Sequence, residues 1–144
     1  MLSAVDVNEE YLDNVLDNLR DEDKFEMRCE FGPDYKQTIK EFCLSSGHFK
    51  IIIDEKFTPI GLFGCEETTP ETAEVCLLVT NEFKKHFKDF LCQAKQYISL
   101  WKKQYKILHN LVYKHNKQAL KWLKILGFKV TDYDDMRMHF FIEE

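Results

Sequence analysis

A cluster of basic side chains opens the longest helix that the sequence predicts. Lys84, Lys85, His86 and Lys88 lie within a five-residue stretch. Lysine ammonium groups bind phosphate as point charges, and the N-terminus of a helix also favours an anion. A run of charges is equally typical of a solvated helix face. The cluster therefore has two interpretations, a phosphate site and a plain charged surface.

Asn110 is a polar residue inside an otherwise apolar predicted strand, KILHNLVYK. A buried polar group needs a hydrogen-bond partner. Its amide could bond the backbone of a strand that splays away from its neighbour, or it could bond a ligand. A purely structural bond is as good an interpretation as a functional one.

Several common chemistries are absent from the sequence. It contains no G-x-S-x-G motif, no P-loop and no paired-carboxylate signature. His109, His115 and His139 have no metal-ligand spacing with a pair of carboxylates, so we predict no metal site. The five cysteines are odd in number and form no C-x-x-C pair, which favours a reducing compartment such as the cytoplasm.

Composition predicts one compact domain over residues 1–144. The chain has only 5 Gly and 3 Pro, which leaves little room for linkers. A net charge of −5 argues against general nucleic-acid binding, which needs a basic surface. The start, MLSAVDVNEE, has no features of a signal peptide, and no run approaches the ~18 apolar residues of a membrane span.

Hydrophobic periodicity predicts the elements that must position these residues. We predict an α/β (α+β) fold with a mixed central sheet of six to seven strands, the order β-α-α-β-β-β-α-β-α-β-β, and helices on both faces. The three strands in the middle of the chain form an antiparallel meander because their connections are short. The predicted elements are a strand at 2–7, a helix capped by Asn8, a helix from 35 to Ser-Ser-Gly, the strands HFKIIIDEK, PIGLFGCEE and TAEVCLLVT, a helix at 82–103, the strand KILHNLVYK, the helix NKQALKWLKILGF and two tail strands. The stretch DEDKFEMRCEFG stays open between a helix and a loop.

The stretch HNKQALKWLKILGFKV carries its own start and stop signals. Asn116 can cap the helix by accepting a backbone N–H of the first turn. Gly127 permits the left-handed conformation that ends a helix, and the apolar Phe128 follows it. A well-capped crossover helix between two strands explains this pattern.

The same pattern resembles the GNAT superfamily of acyl-CoA-dependent N-acyltransferases. The likeness lies in a strand, an asparagine, an alanine three residues later and Gly-Phe before the next strand, and the whole element order looks like that fold. The segment YKILHNLVYKHNKQALKWLKILGF resembles short GNAT-like proteins of short-tailed phages, some of them internal virion proteins. The matching positions are Leu108, Asn110, Val112, Asn116, Trp122, Leu123, Gly127 and Phe128.

The resemblance implies that acetyl-CoA or another acyl-CoA binds to the fourth strand and the following helix. On this chain the strand supplies Leu78 and Val79, the following helix supplies Lys84, Lys85 and Lys88 to the pyrophosphate, and Asn110 and Asn116 belong to the same site.

The loop departs from the family pattern Q/R-x-x-G-x-G/A. Lys84 stands at the Gln or Arg position, Phe87 at the first glycine and Asp89 at the second. A phenylalanine hinders close approach of the backbone to phosphate, and an aspartate repels phosphate.

The resemblance also implies a general acid and a general base. Many family members have a tyrosine seven residues after the asparagine, but that position here is Leu123. Tyr113 is the nearest alternative acid, or else a half-buried strand residue. Glu74 is the candidate base, while Glu66 and Glu67 are better explained as charges at a hairpin end.

Two functions follow as hypotheses. The first is transfer of an acyl group to an amine on a small molecule or a protein. The second is a catalytically inactive, phage-encoded protein that serves in the virion, in assembly, or as a binding module for a host protein. Both predict a location in the host cytoplasm, with incorporation into a virion under the second. The tail FFIEE could pair as an edge strand with a second copy and so form a homodimer.

Overall fold

The computed structural model describes residues 1–143 and contains seven strands and five helices within them. In chain order these are β1 Ser3–Asp6, α1 Glu9–Asp17, α2 Asp21–Phe31, α3 Tyr35–Ser46, β2 Phe49–Ile53, β3 Pro59–Thr69, β4 Thr72–Val79, α4 Phe83–Gln104, β5 Ile107–Tyr113, α5 Lys117–Ile125, β6 Lys129–Asp132 and β7 Arg137–Glu143.

The strands form one mixed sheet in the order β1-β2-β3-β4-β5-β7-β6. β1 pairs antiparallel with β2, and β2 with β3, while β4 pairs parallel with β5. β7 inserts between β5 and β6 and is antiparallel to both. The predicted fold class is therefore confirmed.

The stretch that the sequence left open is a third helix, α2, between β1 and β2. Its only fully buried residue is Asp23, while Phe25 is 43% and Phe31 49% exposed. A helix without a buried apolar stripe has no periodic signal in the sequence. The predicted order therefore lacked one helix.

The chain divides into two compact units. The first comprises Met1–Gly64 and Cys76–Phe90, and the second comprises Cys65–Val75 and the described residues from Leu91 onward.

In the first unit, helices cover both faces of the strands, as predicted. One core joins α1 and α3 to the sheet, and its members are Leu12, Val15, Leu16, Leu19, Tyr35, Ile39, Cys43, Phe49, Ile51, Ile53, Leu62 and Leu78. Phe63, the next residue after Leu62, points to the opposite face and meets Phe90 of α4 edge-on, with ring centroids 6.3 Å apart. Burial raises the pKa of the Cys43 thiol to about 12, so this cysteine acts as a small apolar side chain.

In the second unit, α5 and its capped ends are as predicted. Asn116 Oδ1 accepts the Ala119 N–H at 3.2 Å. The Phe128 N–H donates to the Leu123 carbonyl at 2.9 Å and the Gly127 N–H to the Lys124 carbonyl at 3.1 Å, which is a Schellman motif with Gly127 at φ 98°. Phe128 then packs edge-on against Phe140 of β7 at 5.1 Å.

The tail strand does not lie at an edge of the sheet. Its register joins His139 to Leu111 of β5 on one side and to Thr131 of β6 on the other. The edge-strand route to a homodimer through FFIEE was therefore wrong, because β7 is already paired on both sides; Glu144 lies outside the described residues. The edges are β1 and β6. No helix within residues 1–143 is long and apolar enough to cross a membrane.

Candidate functional site

The predicted phosphate loop forms the start of α4, and a kink divides it. His86 has non-helical dihedral angles of φ −130° and ψ 16°, so regular helical geometry resumes at Phe87. The first N–H groups of a helix have no intrahelical acceptor, which makes such a start favourable for an anion.

The side chains at this kink differ in what they contact. Lys84 and Lys88 are exposed. Lys85 is also exposed, and its Nζ lies 3.1 Å from a carboxylate oxygen of Glu82. The His86 ring lies 3.8 Å from a carboxylate oxygen of Asp54. Lys84 and Lys88 are therefore the cations best placed to meet a phosphate.

The two aromatic residues of this loop have different roles. Phe83 is buried and meets Phe90 edge-on at 5.1 Å, so it belongs to the core of the first unit. Phe87, at the position of the family's first glycine, is 40% exposed and does not fill that core. Asp89 is also exposed, so the repulsive carboxylate remains at the loop surface.

The backbone N–H and C=O groups at the end of β4 form hydrogen bonds with residues 18–23. The Asp23 carboxylate accepts the Val79 N–H at 3.0 Å, and the Val79 carbonyl accepts the Arg20 N–H at 3.1 Å. The Asn81 N–H donates to the Asn18 carbonyl at 3.2 Å. The side chain of Leu78, the other predicted residue of this strand, packs in the core with α1 and α3.

A buried ion pair fixes this arrangement. Arg20 Nη2 lies 2.8 Å from Asp23 Oδ1, and both side chains are 4% exposed. Burial raises the pKa of the Asp23 carboxyl, and the Arg20 guanidinium opposes that rise. Neither residue was predicted from the sequence, because the stretch around them is polar and shows no pattern of burial.

One part of acyl-CoA fits these residues better than another. Its phosphates suit exposed lysines at a helix start. Its pantetheine arm contains two amides, which would need free N–H and C=O groups on a strand edge. The Val79 N–H and C=O already have partners, so that arm fits only if the partners move.

In the second unit, titratable side chains meet on one face of the sheet. Glu74 of β4 and His109 of β5 are register partners, so their side chains leave the sheet on the same face. The rings of His109 and His139 are 5.7 Å apart, and His139 stacks on Phe141 at 5.3 Å. Burial lowers the pKa of His139, and the neighbouring His109 lowers it further. We call these four residues the Glu74–His109 face.

Asn110 bonds the backbone of the neighbouring strand, which was one of its open interpretations. Its Nδ2 donates to the Val75 carbonyl at 2.9 Å, and its Oδ1 accepts the Leu111 N–H at 2.8 Å. Backbone pairing of β4 with β5 covers Thr72–Glu74 and Ile107–His109. The Asn110 side chain supplies the next contact along these strands.

Tyr113 lies on the same face as His109 but farther along β5. Tyr113 is four positions after His109, which is about 13 Å along a strand. Tyr113 is 8% exposed, and its ring lies 6.0 Å from that of His115. The structure thus brings Glu74 next to His109 but does not bring Tyr113 next to either. Asn116 is 2% exposed at the start of α5.

The two hairpin glutamates differ in their surroundings. Glu67 Oε1 accepts the Tyr105 hydroxyl at 3.1 Å. Burial raises the pKa of Tyr105, and its bond to Glu67 raises it further. Oε2 of Glu66 is buried without a hydrogen-bond partner among the described residues. Glu67 is therefore a structural charge.

Solved N-acetyltransferases have the same fold as this chain. A GCN5-related N-acetyltransferase from Kribbella flavida matches with a TM-score of 0.74 at 15% identity, over 99% of this chain and 98% of that one. PaiA N-acetyltransferase from Thermoplasma acidophilum, in complex with coenzyme A, gives 0.73 at 18% identity over 100% and 99%. Spermidine N-acetyltransferase from Vibrio cholerae, in complex with CoA and spermine, gives 0.71 at 14% over 99% and 95%. The chain therefore has the GNAT fold.

At the level of sequence, no curated protein matches the chain. The phage affiliation consequently stays a prediction. One family model matches residues 48–132, which is more than half of the 144 residues, and its description is a family of unknown function, DUF5945. The chain belongs to this DUF5945 family.

Proposed function

We propose that this protein is an N-acyltransferase that moves an acyl group from acetyl-CoA or another acyl-CoA to an amine. The observation that carries the proposal is the Glu74–His109 face, where a carboxylate and two imidazoles lie on one face of the strands. An attacking amine must lose a proton, and carboxylates and neutral imidazoles are the side chains that accept one near neutral pH. The GNAT fold supports this proposal as an analogy of fold.

The roles follow from chemistry and position. Glu74 accepts the amine proton, and the His109 and His139 rings orient the acceptor. Tyr113, the acid suggested by the resemblance, lies about 13 Å farther along β5 than His109, too far to protonate a thiolate that leaves beside Glu74, so the departing CoA thiolate takes its proton from water. Acyl-CoA supplies the activated thioester, with its phosphates near Lys84, Lys85 and Lys88 and its pantetheine arm near Leu78 and Val79.

A cationic amine is the acceptor that charge favours, whether it is a small molecule or a protein side chain. The chain has a net charge of −5, which attracts cations at long range. A protein of the same fold is a spermidine N-acetyltransferase solved with spermine. We therefore place polyamines first among acceptors, and we place the protein in the cytoplasm.

Calorimetric titration of CoA and acetyl-CoA tests cofactor binding. We expect Lys84→Ala and Lys88→Ala to weaken binding by about tenfold each, because each removes a charge worth about 1.4 kcal/mol at a phosphate. Lys121→Ala, an exposed lysine on α5, is the matched control and leaves affinity unchanged. Equal affinities for all four proteins would overturn the phosphate assignment.

Release of free CoA thiol in the presence of spermine or spermidine tests the transfer. We expect Glu74→Gln to lower the rate by 100-fold or more, the usual order for a general base. Glu67→Gln is the control, since Glu67 bonds Tyr105 and has no assigned role in the transfer. A rate that Glu74→Gln leaves intact would remove Glu74 from the reaction.

The second candidate function is a phage-encoded, catalytically inactive protein of the virion, of assembly, or of host-protein binding. It is favoured by the loop, where an exposed Phe87 and Asp89 stand in place of small residues. An exposed aromatic ring suits a protein partner better than a phosphate. Mass spectrometry of purified phage particles tests this function. A fixed number of copies of this protein per particle, together with no CoA binding by the purified protein, would replace the first proposal by this one.

A further inference from the structure

Residues 18–23, which we call the edge segment, connect α1 to the first turn of α2 and lie against the end of β4. Leu19 and Thr80 form an antiparallel bridge. The Arg20 N–H donates to the Val79 carbonyl at 3.1 Å, and the Asn81 N–H donates to the Asn18 carbonyl at 3.2 Å.

The edge segment takes the side of β4 opposite to β3. The Thr80 N–H donates to the Ile60 carbonyl at 3.0 Å, so Thr80 faces β3. Backbone groups alternate in direction along a strand, so those of Val79 and Asn81 face the other way. These are the groups that the edge segment satisfies.

The Asp23 side chain completes the closure. Its Oδ2 accepts the Val79 N–H at 3.0 Å, which leaves neither backbone group of Val79 without a partner. Its Oδ1 bonds Arg20, and both side chains are almost fully buried. Burying two charges is costly unless they are well paired, so this is a specific arrangement and not a loose surface contact.

The edge segment has an anchor that is mostly polar. Beyond the ion pair, its large apolar contact is Leu19, which is fully buried. The helix that follows buries only Asp23 completely and leaves Phe25 and Phe31 about half exposed. Lifting this segment breaks these hydrogen bonds and exposes one large apolar side chain, Leu19. A ligand that supplies the same bonds to Val79 offsets the lost hydrogen bonds, and burial of its own apolar surface against β4 offsets the exposure of Leu19.

We propose that the edge segment and the pantetheine arm of acyl-CoA compete for the Val79 edge of β4, so that the cofactor binds only after the segment leaves. This inference rests on the proposed function for the identity of the competitor. The arm's amide N–H and C=O groups would replace the Arg20 N–H and the Asp23 carboxylate as partners of Val79, in the way that a peptide adds to an open sheet edge.

A reversible disulfide tests the competition. Leu19 and Thr80 are a non-hydrogen-bonded antiparallel pair, because the hydrogen bonds lie on either side of them. The Cα atoms of such a pair are about 4.5 Å apart, which is within the range that a disulfide spans. The variant is Leu19→Cys with Thr80→Cys. The exposed Cys29 and Cys92 are changed to serine in every protein so that they cannot pair instead. Leu19→Cys alone in that background is the control for oxidation.

CoA is titrated into the oxidised and the reduced double variant. We expect the oxidised form to bind CoA at least about 100-fold more weakly than the reduced form, because the locked segment removes the open state. Equal binding by both forms would overturn the competition and leave the proposed function standing. Absence of CoA binding in both forms and in the unmodified protein would overturn both.

Amide hydrogen exchange gives a second result that needs no variant. In the free protein the Arg20 N–H is protected by the Val79 carbonyl. Saturating CoA should speed its exchange by about tenfold or more, because the segment loses its acceptor when it leaves. Unchanged exchange at Arg20 in a protein that binds CoA would contradict the competition.

Discussion

Asn110 bonds β4 through its side chain, at the residue after the last position where β5 pairs with β4. It donates to Val75 and accepts from Leu111. Asn110→Leu keeps the size but removes both bonds, and a buried carbonyl without a partner costs about 1–3 kcal/mol. Urea unfolding should show a loss of that order.

Asn110→Asp separates the two bonds. It keeps the oxygen that accepts from Leu111 and replaces the donor by a second oxygen facing the Val75 carbonyl. At neutral pH we expect it to be at least as destabilising as Asn110→Leu. A stability equal to that of the unmodified protein would mean that the Val75 contact contributes nothing.

His139 should make stability depend on pH. Its pKa lies below the ordinary value of 6.5 because it is partly buried and faces His109. Between the folded pKa and 6.5 the unfolded chain binds more protons, so the free energy of unfolding falls as pH decreases through that window and is fully retained above it. Denaturant unfolding between about pH 7.5 and about pH 5.5 should show a smaller fall for His139→Gln than for the unmodified protein.

Two comparisons separate the causes of that shift. His48→Gln removes an exposed histidine outside the Glu74–His109 face and is the matched control for the loss of one imidazole. His109→Gln should raise the pKa of His139 only part of the way to its ordinary value, because burial is the larger cause. A full return in an NMR titration would make the neighbouring imidazole the dominant cause instead.

At the scale of elements, the end of α5 depends on one glycine. Gly127 has φ 98°, and a methyl group added there would meet only Ile142 at an ordinary 3.5 Å. The cost of Gly127→Ala therefore comes from the backbone and should be about 1–2 kcal/mol, measured by urea unfolding. Gly127→Asn should cost less, because asparagine tolerates this region better. Equal losses for both changes would indicate a steric origin.

The elements with local signals were predictable from the sequence, and α5 is the clearest of them. Asn116, Gly127 and the apolar face between them act within one helix, so the sequence alone contains the information. The helix α2 was not predictable, because its anchor joins Asp23 to Val79 across 56 residues of chain. A polar contact at that separation leaves no periodic pattern.

The candidate site was predictable only in part for the same reason. Glu74 and Asn110 were identified as polar residues in or beside strands. The partners they meet depend on which strands are neighbours and in which register, and that is a property of the assembled sheet. The meeting of His109 with His139 requires β7 to insert beside β5, whereas chain order would place β6 there.

At the scale of the whole molecule, the two edge strands decide whether the sheet can continue into a second copy. β6 is four residues long, Lys129–Asp132, with a charge at each end and little burial. β1 ends at Asp6, which pairs with Lys50, and this pairing lowers the pKa of the Asp6 carboxyl. Short, charged strands are a common protection of sheet edges against pairing.

We therefore expect no dimer formed by continuation of the sheet. Light scattering during gel filtration should give a mass near 17.2 kDa, the mass of one chain, over a range of protein concentrations. Because β7 is paired with β5 and β6, neither edge offers the long apolar strand that a stable sheet-to-sheet dimer needs. A mass twice that value would contradict this expectation if amide exchange also became slower along β1 or β6. Slower exchange elsewhere would place the contact on another surface and leave the edges unpaired.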